Sequence, residues 1–340
     1  MLKNRKLVVC LIVLIMLFGS LSMYAAAQGK VLKVQVPWGP VQYAAVCKPW
    51  VDDFNLSQKG NIQLKVYTVG ELFSLEQVPQ AVQNGTLDLG LVMASWMAAP
   101  IDVSELSTDP PFAWNSPLEL LVLWEKKGMK EIVSESWEAL GNIKVIGHIT
   151  SDPLHLITNK PINSLEDLKG LKIAADAPVA RAFEVAGITS TFLPFDDLYL
   201  SAETGVIDGI GWGGATECYT NSWYEVCPYF LLNPIVGSFS NPWIINLKTW
   251  ESLSLSEQQS LKNAMNDLCL RSMAYYYNGE AESLRYFKTT KLSDEDWGFL
   301  RKSTMDYWDE VLAPKSERAA KLIDIFKKYN EEVEKINYWR

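Results

Sequence analysis

The chain has 340 residues, 48% hydrophobic and 21% charged, with a formal net charge of -9. That length allows a large core and two lobes, and the balance is that of an ordinary soluble globular protein. The acidic surplus makes nucleic acid a poor partner.

Lys3, Arg5 and Lys6 precede an apolar run from Leu7 to Met23, and Ala25-Ala26-Ala27 supplies small residues before Gln28. This order predicts a cleaved export signal over residues 1–27 and a periplasmic mature chain. The alternative is an uncleaved anchor, against which stand the shortness of the run and its Ala-x-Ala end. Cys10 lies at the start of the run, not at its end, so it does not mark a lipid-modified cysteine. Four of the five cysteines remain after cleavage: Cys47, Cys218, Cys227 and Cys269. An oxidising compartment permits pairing. Cys218 and Cys227 are nearest in sequence and the best candidates; the alternative is four buried thiols.

Val31–Val36 reads as a strand, Tyr43–Phe54 as a helix and Ile62–Tyr67 as a second strand. Ser74 with Gln77 forms a capping box for a helix that Gly85 stops, and Leu87–Met93 is the third strand. This βαβαβ order implies a mainly parallel sheet with helices on its faces. Pro110-Pro111 precedes a helical region, Ser116–Glu138, and Ile143–Ile149 is a strand expected to cross into a second lobe.

Ser164 and Asp167 form another capping pair, Leu171–Ile173 starts a strand, Pro178 suits a helix's first turn and Gly187 its end. Leu198–Thr204 is a helix end capped by Gly205, and Val206–Ile210 a strand. Asn84-Gly85-Thr86-Leu87-Asp88 is echoed by Thr204-Gly205-Val206-Ile207-Asp208; a helix stopped by Gly before a strand is common in α/β proteins, and the echo fits two similar lobes. Trp243–Leu247 is a strand returning to the first lobe. A long helix capped by Ser256 and Gln259 runs towards Lys288, with a break expected at Gly279. Ser293 and Ser316 open two more helices.

The run Pro161–Ile173, the Pro194-Phe195 helix start and Thr204–Gly209 resemble the extracytoplasmic solute receptors of TRAP transporters, of the dicarboxylate-receptor type. The resemblance covers nearly the whole mature chain. It implies an α/β, two-lobed periplasmic binding protein (type II-like) with discontinuous lobes, hinge strands and a long bridging helix. Lobe 1 is expected over residues 28–142 plus about 239–279, and lobe 2 over 143–238 plus about 280–340. It also implies a small organic solute and membrane permease subunits as partners. Such receptors carry a carboxylate-clamping arginine directly after the Lys-Ile of this motif; here Ala174 stands there. In some 2-oxo-acid receptors a Glu-Trp pair meets a metal after the later strand, but this chain reads Gly211-Trp212. No metal and no cofactor is expected.

No catalytic signature appears: there is no His-Glu-x-x-His, no Gly-x-Ser-x-Gly and no phosphate loop, and the histidines are His148 and His155 alone. An exported enzyme is therefore the weakest reading, and a ligand-sensing subunit for a signalling receptor remains an alternative. In open parallel sheets ligands sit beyond the carboxyl ends of the strands. Those ends nominate Trp38, Tyr43, Glu71, Trp96, Asp152, His155, Asp176, Trp212, Thr216 and Glu217, with Arg181 early in a helix. Plain packing is the competing explanation for each tryptophan, and solvated helix surface for Arg181. The set is aromatic and acidic, which suits a ligand of apolar, aromatic or cationic character better than a dicarboxylate.

Overall fold

A computed structural model describes residues 29–96 and 101–335. The expected signal segment and its cleavage point lie outside the described residues. Among those described, no helix is long and apolar enough to cross a membrane.

Two sheets organise the chain. The first is built from β1 (Lys30–Gln35), β2 (Ile62–Tyr67), β3 (Leu89–Leu91), β4 (Ile143–Thr150) and β10 (Ser240–Asn246), in the order β2-β1-β3-β10-β4. The second is built from β5 (Leu156–Thr158), β6 (Ile173–Ala175), β7 (Ser190–Thr191), β8 (Gly209–Gly211), β9 (Tyr229–Leu231) and β11 (Lys288–Thr290), in the order β11-β9-β5-β8-β6-β7. β1 pairs parallel with β2 and β3, and β6 pairs parallel with β7 and β8. These are the two α/β halves that the alternating helix and strand cues predict.

The strand expected to open the second lobe lies elsewhere. β4 pairs antiparallel with β10 along its whole length, from Ser240–Thr150 to Asn246–Ile143, and so belongs to the first sheet. The chain crosses only after Thr150 and returns just before Ser240, at the same end of this strand pair. Two adjacent crossings of this kind form a narrow connection between the sheets.

The sequence echo has a shared physical role. The Asp88 carboxylate accepts the Lys33 N–H at 2.8 Å, and the Asp208 carboxylate accepts the Lys172 N–H at 3.1 Å. Each aspartate also donates its own N–H to the carbonyl of that same residue. A side chain thus takes up a backbone donor at the strand's start. β3 and β8 accordingly begin two or more residues later than apolarity alone suggests.

Capping behaves as local chemistry predicts. Ser74–Gln77 and Ser164–Asp167 form reciprocal boxes, Ser293 and Ser316 cap the last two long helices, and Gly85, Gly187 and Gly205 take left-handed conformations. Gly128, at φ 91°, splits the region after Pro111 into helices Pro117–Lys126 and Met129–Glu138.

The long helix is one continuous element, Leu255–Ser283, capped by Ser254 and Glu257 rather than by Ser256 and Gln259. Its 29 residues span about 43 Å. Its first half packs on the first sheet, where Trp50 Nε1 donates to the Ala264 carbonyl at 2.8 Å. Its last turns reach the second sheet. Gly279 does not break it. Instead a Cβ there would meet Thr216 Oγ1 at 2.5 Å, so the glycine permits close approach of the helix that follows β8. The largest apolar cluster runs across both halves, from Val82 and Trp114 to Ile173, Phe183, Trp308 and Phe326.

Candidate functional site

Between the sheets lies a cavity of about 600 Å³. The Pro37–Gln42 segment after β1 lines one side; the segment 192–196, Trp212 after β8 and the helix Ala215–Thr220 line the other. Ser151 and Asp152, just past β4, Phe239, just before β10, and Asn241, within β10, form the floor with Tyr276 of the long helix.

Two carboxylates define its chemistry. Asp152 is buried and its Oδ2 accepts the Gly214 N–H at 3.2 Å. Burial, then the nearby Glu217 and Glu280, push its carboxyl well above the usual carboxylate range. Glu217 accepts from Gln42 Nε2 at 2.8 Å and Asn221 Nδ2 at 3.0 Å; burial pushes it up while these bonds hold it down. Gln42 comes from the first sheet's side, so its bond to Glu217 joins the two walls directly. Gly213 sits between the acids at φ 57°, where a Cβ would lie 2.7 Å from Glu217 Cβ and 2.9 Å from Asp152 Oδ2. That close approach, with the positive φ, explains the glycine at 213.

A third carboxylate fixes the wall. Glu280 accepts the Ala215 and Thr216 N–H groups at 2.7 and 3.0 Å, and burial raises its carboxyl. It takes up two of the amides that a helix start leaves unpaired. A Cβ on Gly214 would stand 2.3 Å from Glu280 Oε1, so this contact too requires a glycine.

Aromatic rings form part of the remaining surface. Trp38 and Trp212 are each 7% exposed. Phe195 lies against Trp212 at 5.7 Å between ring centres and against Trp223 at 5.3 Å. Ala174, at the family's arginine position, is buried in an apolar cluster with Ile210 and Trp212. Among the described residues, no lysine or arginine lines the cavity. None of their acidic, histidine or cysteine side chains form a group able to hold a metal ion.

Of the nominated residues, Trp38, Asp152, Trp212 and Glu217 line this one cavity. The other nominated residues do other work. Glu71 is exposed and accepts from Thr68 within its own turn. Tyr43 packs against the first sheet's cluster. His155 is buried against Phe230, its Nδ1 bonded to the Leu231 carbonyl, and burial lowers its pKa to about 4. Thr216 is buried against Gly279. Asp176 lies beside Asp109, away from the cavity. Arg181 is exposed and paired with Glu184 at 2.6 Å. Only the backbone of Trp96 is described, in a short 3-10 turn. Cys218 and Cys227 are unpaired, as are Cys47 and Cys269; all four are buried. Cys218 donates to the Trp212 carbonyl at 3.5 Å, and burial pushes Cys227 up to about 12.

Sequence reasoning missed Gln42, Phe195, Asn221, Asn241 and Tyr276. Asn221 lies four residues after Glu217 on one helical face, a spacing that was readable. Gln42, Asn241 and Tyr276 come from distant elements and left no local signal.

The model of the bacterial extracellular solute-binding proteins, family 7, matches residues 34–311. The chain belongs to this family. Its members are the solute receptors of TRAP transporters and are extracytoplasmic, which confirms the resemblance read from Pro161–Ile173. A TRAP periplasmic solute-binding protein from Chromohalobacter salexigens, solved with (S)-(+)-2-amino-1-propanol, is 30% identical with a TM-score of 0.84, covering 92% of this chain and 99% of that one. The ectoine-binding periplasmic protein TeaA of Halomonas elongata is 24% identical, over 85% of this chain and 86% of its own. A Pseudoalteromonas atlantica receptor with bound sodium and pyruvate is 19% identical but has a TM-score of 0.80 over 92% of this chain and 97% of that one, so it shares the two-lobed fold. This chain is a TRAP solute receptor of that fold.

Proposed function

We propose that this receptor captures one small organic solute in the cavity between its sheets, closes on it, and delivers it unchanged to a membrane permease. The observation that carries this reading is the Gln42–Glu217 hydrogen bond across the cavity. A group from each wall meets at the site, so a solute there contacts both and favours the closed form. The hinge is the pair of crossings beside Thr150 and Ser240, with the long helix spanning both lobes. The lobes therefore divide at about 151 and 239 on this reading. The site residues are Trp38, Gln42, Asp152, Phe195, Trp212, Glu217, Asn241 and Tyr276.

Two relatives support a compact, nitrogen-bearing solute: the Chromohalobacter receptor was solved with an amino alcohol, and TeaA is named for ectoine. The test combines two measurements on one preparation. Denaturing protein purified from cells should release a stoichiometric small molecule, identified by mass. Solution scattering should then show a smaller radius of gyration with that molecule than without. An equal radius at saturation excludes closure, and conversion of the molecule during incubation excludes simple capture.

A further inference from the structure

We infer that the solute is an organic cation, a protonated amine whose ammonium group lies against Asp152 and Glu217 while its carbon body packs on Trp38, Phe195 and Trp212. This rests on the receptor reading and names the chemical class that the same cavity selects.

Glu217 is held by neutral amides, Gln42 at 2.8 Å and Asn221 at 3.0 Å, and Asp152 by one backbone N–H at 3.2 Å. Neither carboxylate has a cationic protein partner among the described residues. Each oxygen retains acceptor capacity beyond the bond it makes. Glu76 and Asp196 also line the cavity, adding acid and no base. A buried carboxylate without a counter-ion is costly, and that cost falls when a cation enters.

A second feature points the same way. Asn241 is 2% exposed, lines the cavity, and its Oδ1 has no hydrogen-bond donor among the described residues. The cavity is therefore rich in acceptors. An ammonium group brings three N–H donors and one positive charge. A carboxylate brings neither, and would be repelled by the acids.

The third feature is the family's arginine position. Ala174 is 1% exposed within an apolar cluster that contains Trp212. Ala174 does not itself line the cavity; where the family has an anion clamp, this chain has a small apolar residue in the cluster that contains Trp212. Aromatic faces attract cations through the ring quadrupole and also cover apolar carbon. Arg181 does not restore the clamp: it lies outside the cavity and is paired with Glu184.

The experiment is calorimetry on protein freed of solute by unfolding and refolding, using matched triplets that differ only in the head group. One triplet is 1-amino-2-propanol, propane-1,2-diol and lactate; another is phenethylamine, 2-phenylethanol and phenylacetate. The ammonium member of at least one triplet should bind 30-fold or more tightly than its neutral and anionic counterparts. Asp152→Asn and Glu217→Gln should each weaken it at least tenfold, and Glu217→Asp, which keeps the charge, should lose less than Glu217→Gln. Thermal unfolding of each variant confirms that it is folded. If the Asn and Gln variants bind the amine as well as wild type, or if a carboxylate or neutral member binds best, the cation class is wrong while the receptor reading stands. Release of an anionic or neutral molecule from cell-purified protein would likewise overturn the cation class alone. No binding in any triplet, together with no small molecule released from cell-purified protein, overturns both readings.

Discussion

Asp152 and Glu217 face a cavity and are met by N–H groups from Gly214, Gln42 and Asn221. Asp109 and Asp176 face each other, and none of their four carboxylate oxygens receives a well-formed hydrogen bond among the described residues. Both pairs lie where the halves meet. Asp109 follows Thr108, whose hydroxyl receives the Ala94 N–H beside β3, and Asp176 follows β6 and precedes the helix Ala177–Val185. Burial raises all four carboxyls. The difference lies in access and donors. On the proposed reading the cavity pair is neutralised by a solute. The closed pair is 0% and 2% exposed, and burial raises both carboxyls, so sharing one proton is the neutralisation expected there. Two acids between lobes are thus not enough to mark a ligand site; an accessible cavity and a complement of donors distinguish one pair from the other.

The largest effect should come from removing the scaffold of the open pair. Glu280→Ala leaves the Ala215 and Thr216 N–H groups without their carboxylate. It should destabilise the protein by roughly 2–4 kcal/mol, since bonds to charged groups are the stronger kind. Because Glu217 rides on the same helix, ligand affinity should fall too. Chemical denaturation and calorimetry read the two losses, and a variant as stable as wild type would show that the contact is incidental.

Gly279→Ala attacks the same scaffold by steric means. Its Cβ would enter the space of Thr216 Oγ1, at 2.5 Å, costing about 1–3 kcal/mol. The double variant with Thr216→Ala should recover part of that loss in urea melts. Equal stability of the single and double variants would place the strain elsewhere.

The closed pair can be tested by pH. A carboxyl whose folded pKa exceeds its unfolded value binds more protons when folded. Its contribution to stability therefore falls as pH rises from about 4 through the raised folded values. Asp176→Asn removes one charge and supplies a donor to Asp109. Relative to wild type it should gain about 1–2 kcal/mol at pH 8 and less at pH 5. The comparison between variants matters because buried His148 and His155, with pKa values lowered to about 3 and about 4, impose the opposite slope on both proteins. They hold stability that is lost as pH falls below their unfolded value. A difference between variants that does not change with pH would contradict proton sharing.

The smallest effect belongs to the cation that sequence placed near the site. Arg181→Ala breaks an exposed pair with Glu184 three residues away, worth less than about 0.5 kcal/mol. Ligand affinity should stay within about twofold of wild type. A large loss would restore Arg181 to the site and weaken the contrast between the two acid pairs.

What the chain determined locally, it determined well. Ser74, Ser164, Ser293 and Ser316 start helices because a side-chain oxygen reaches an N–H two or three residues ahead. Gly85, Gly187 and Gly205 end them because left-handed backbone suits glycine. The motif Pro161–Ile173 carried the family, and strand-end reasoning named Trp38, Asp152, Trp212 and Glu217, which line one cavity. Other outcomes depended on how distant segments meet. Pairing with β10 assigned β4 to the first sheet. Close contact with Thr216 gave Gly279 its role in an unbroken helix. The facing of Asp109 and Asp176 took one nominated acid away from the cavity, and Gln42, Asn241 and Tyr276 entered it from far along the chain. Capping and turn rules act over three or four residues, within the reach of one side chain. Which side chains share a cavity depends on the crossing of two strands and the path of a helix about 43 Å long, and those are settled only when the two sheets pack.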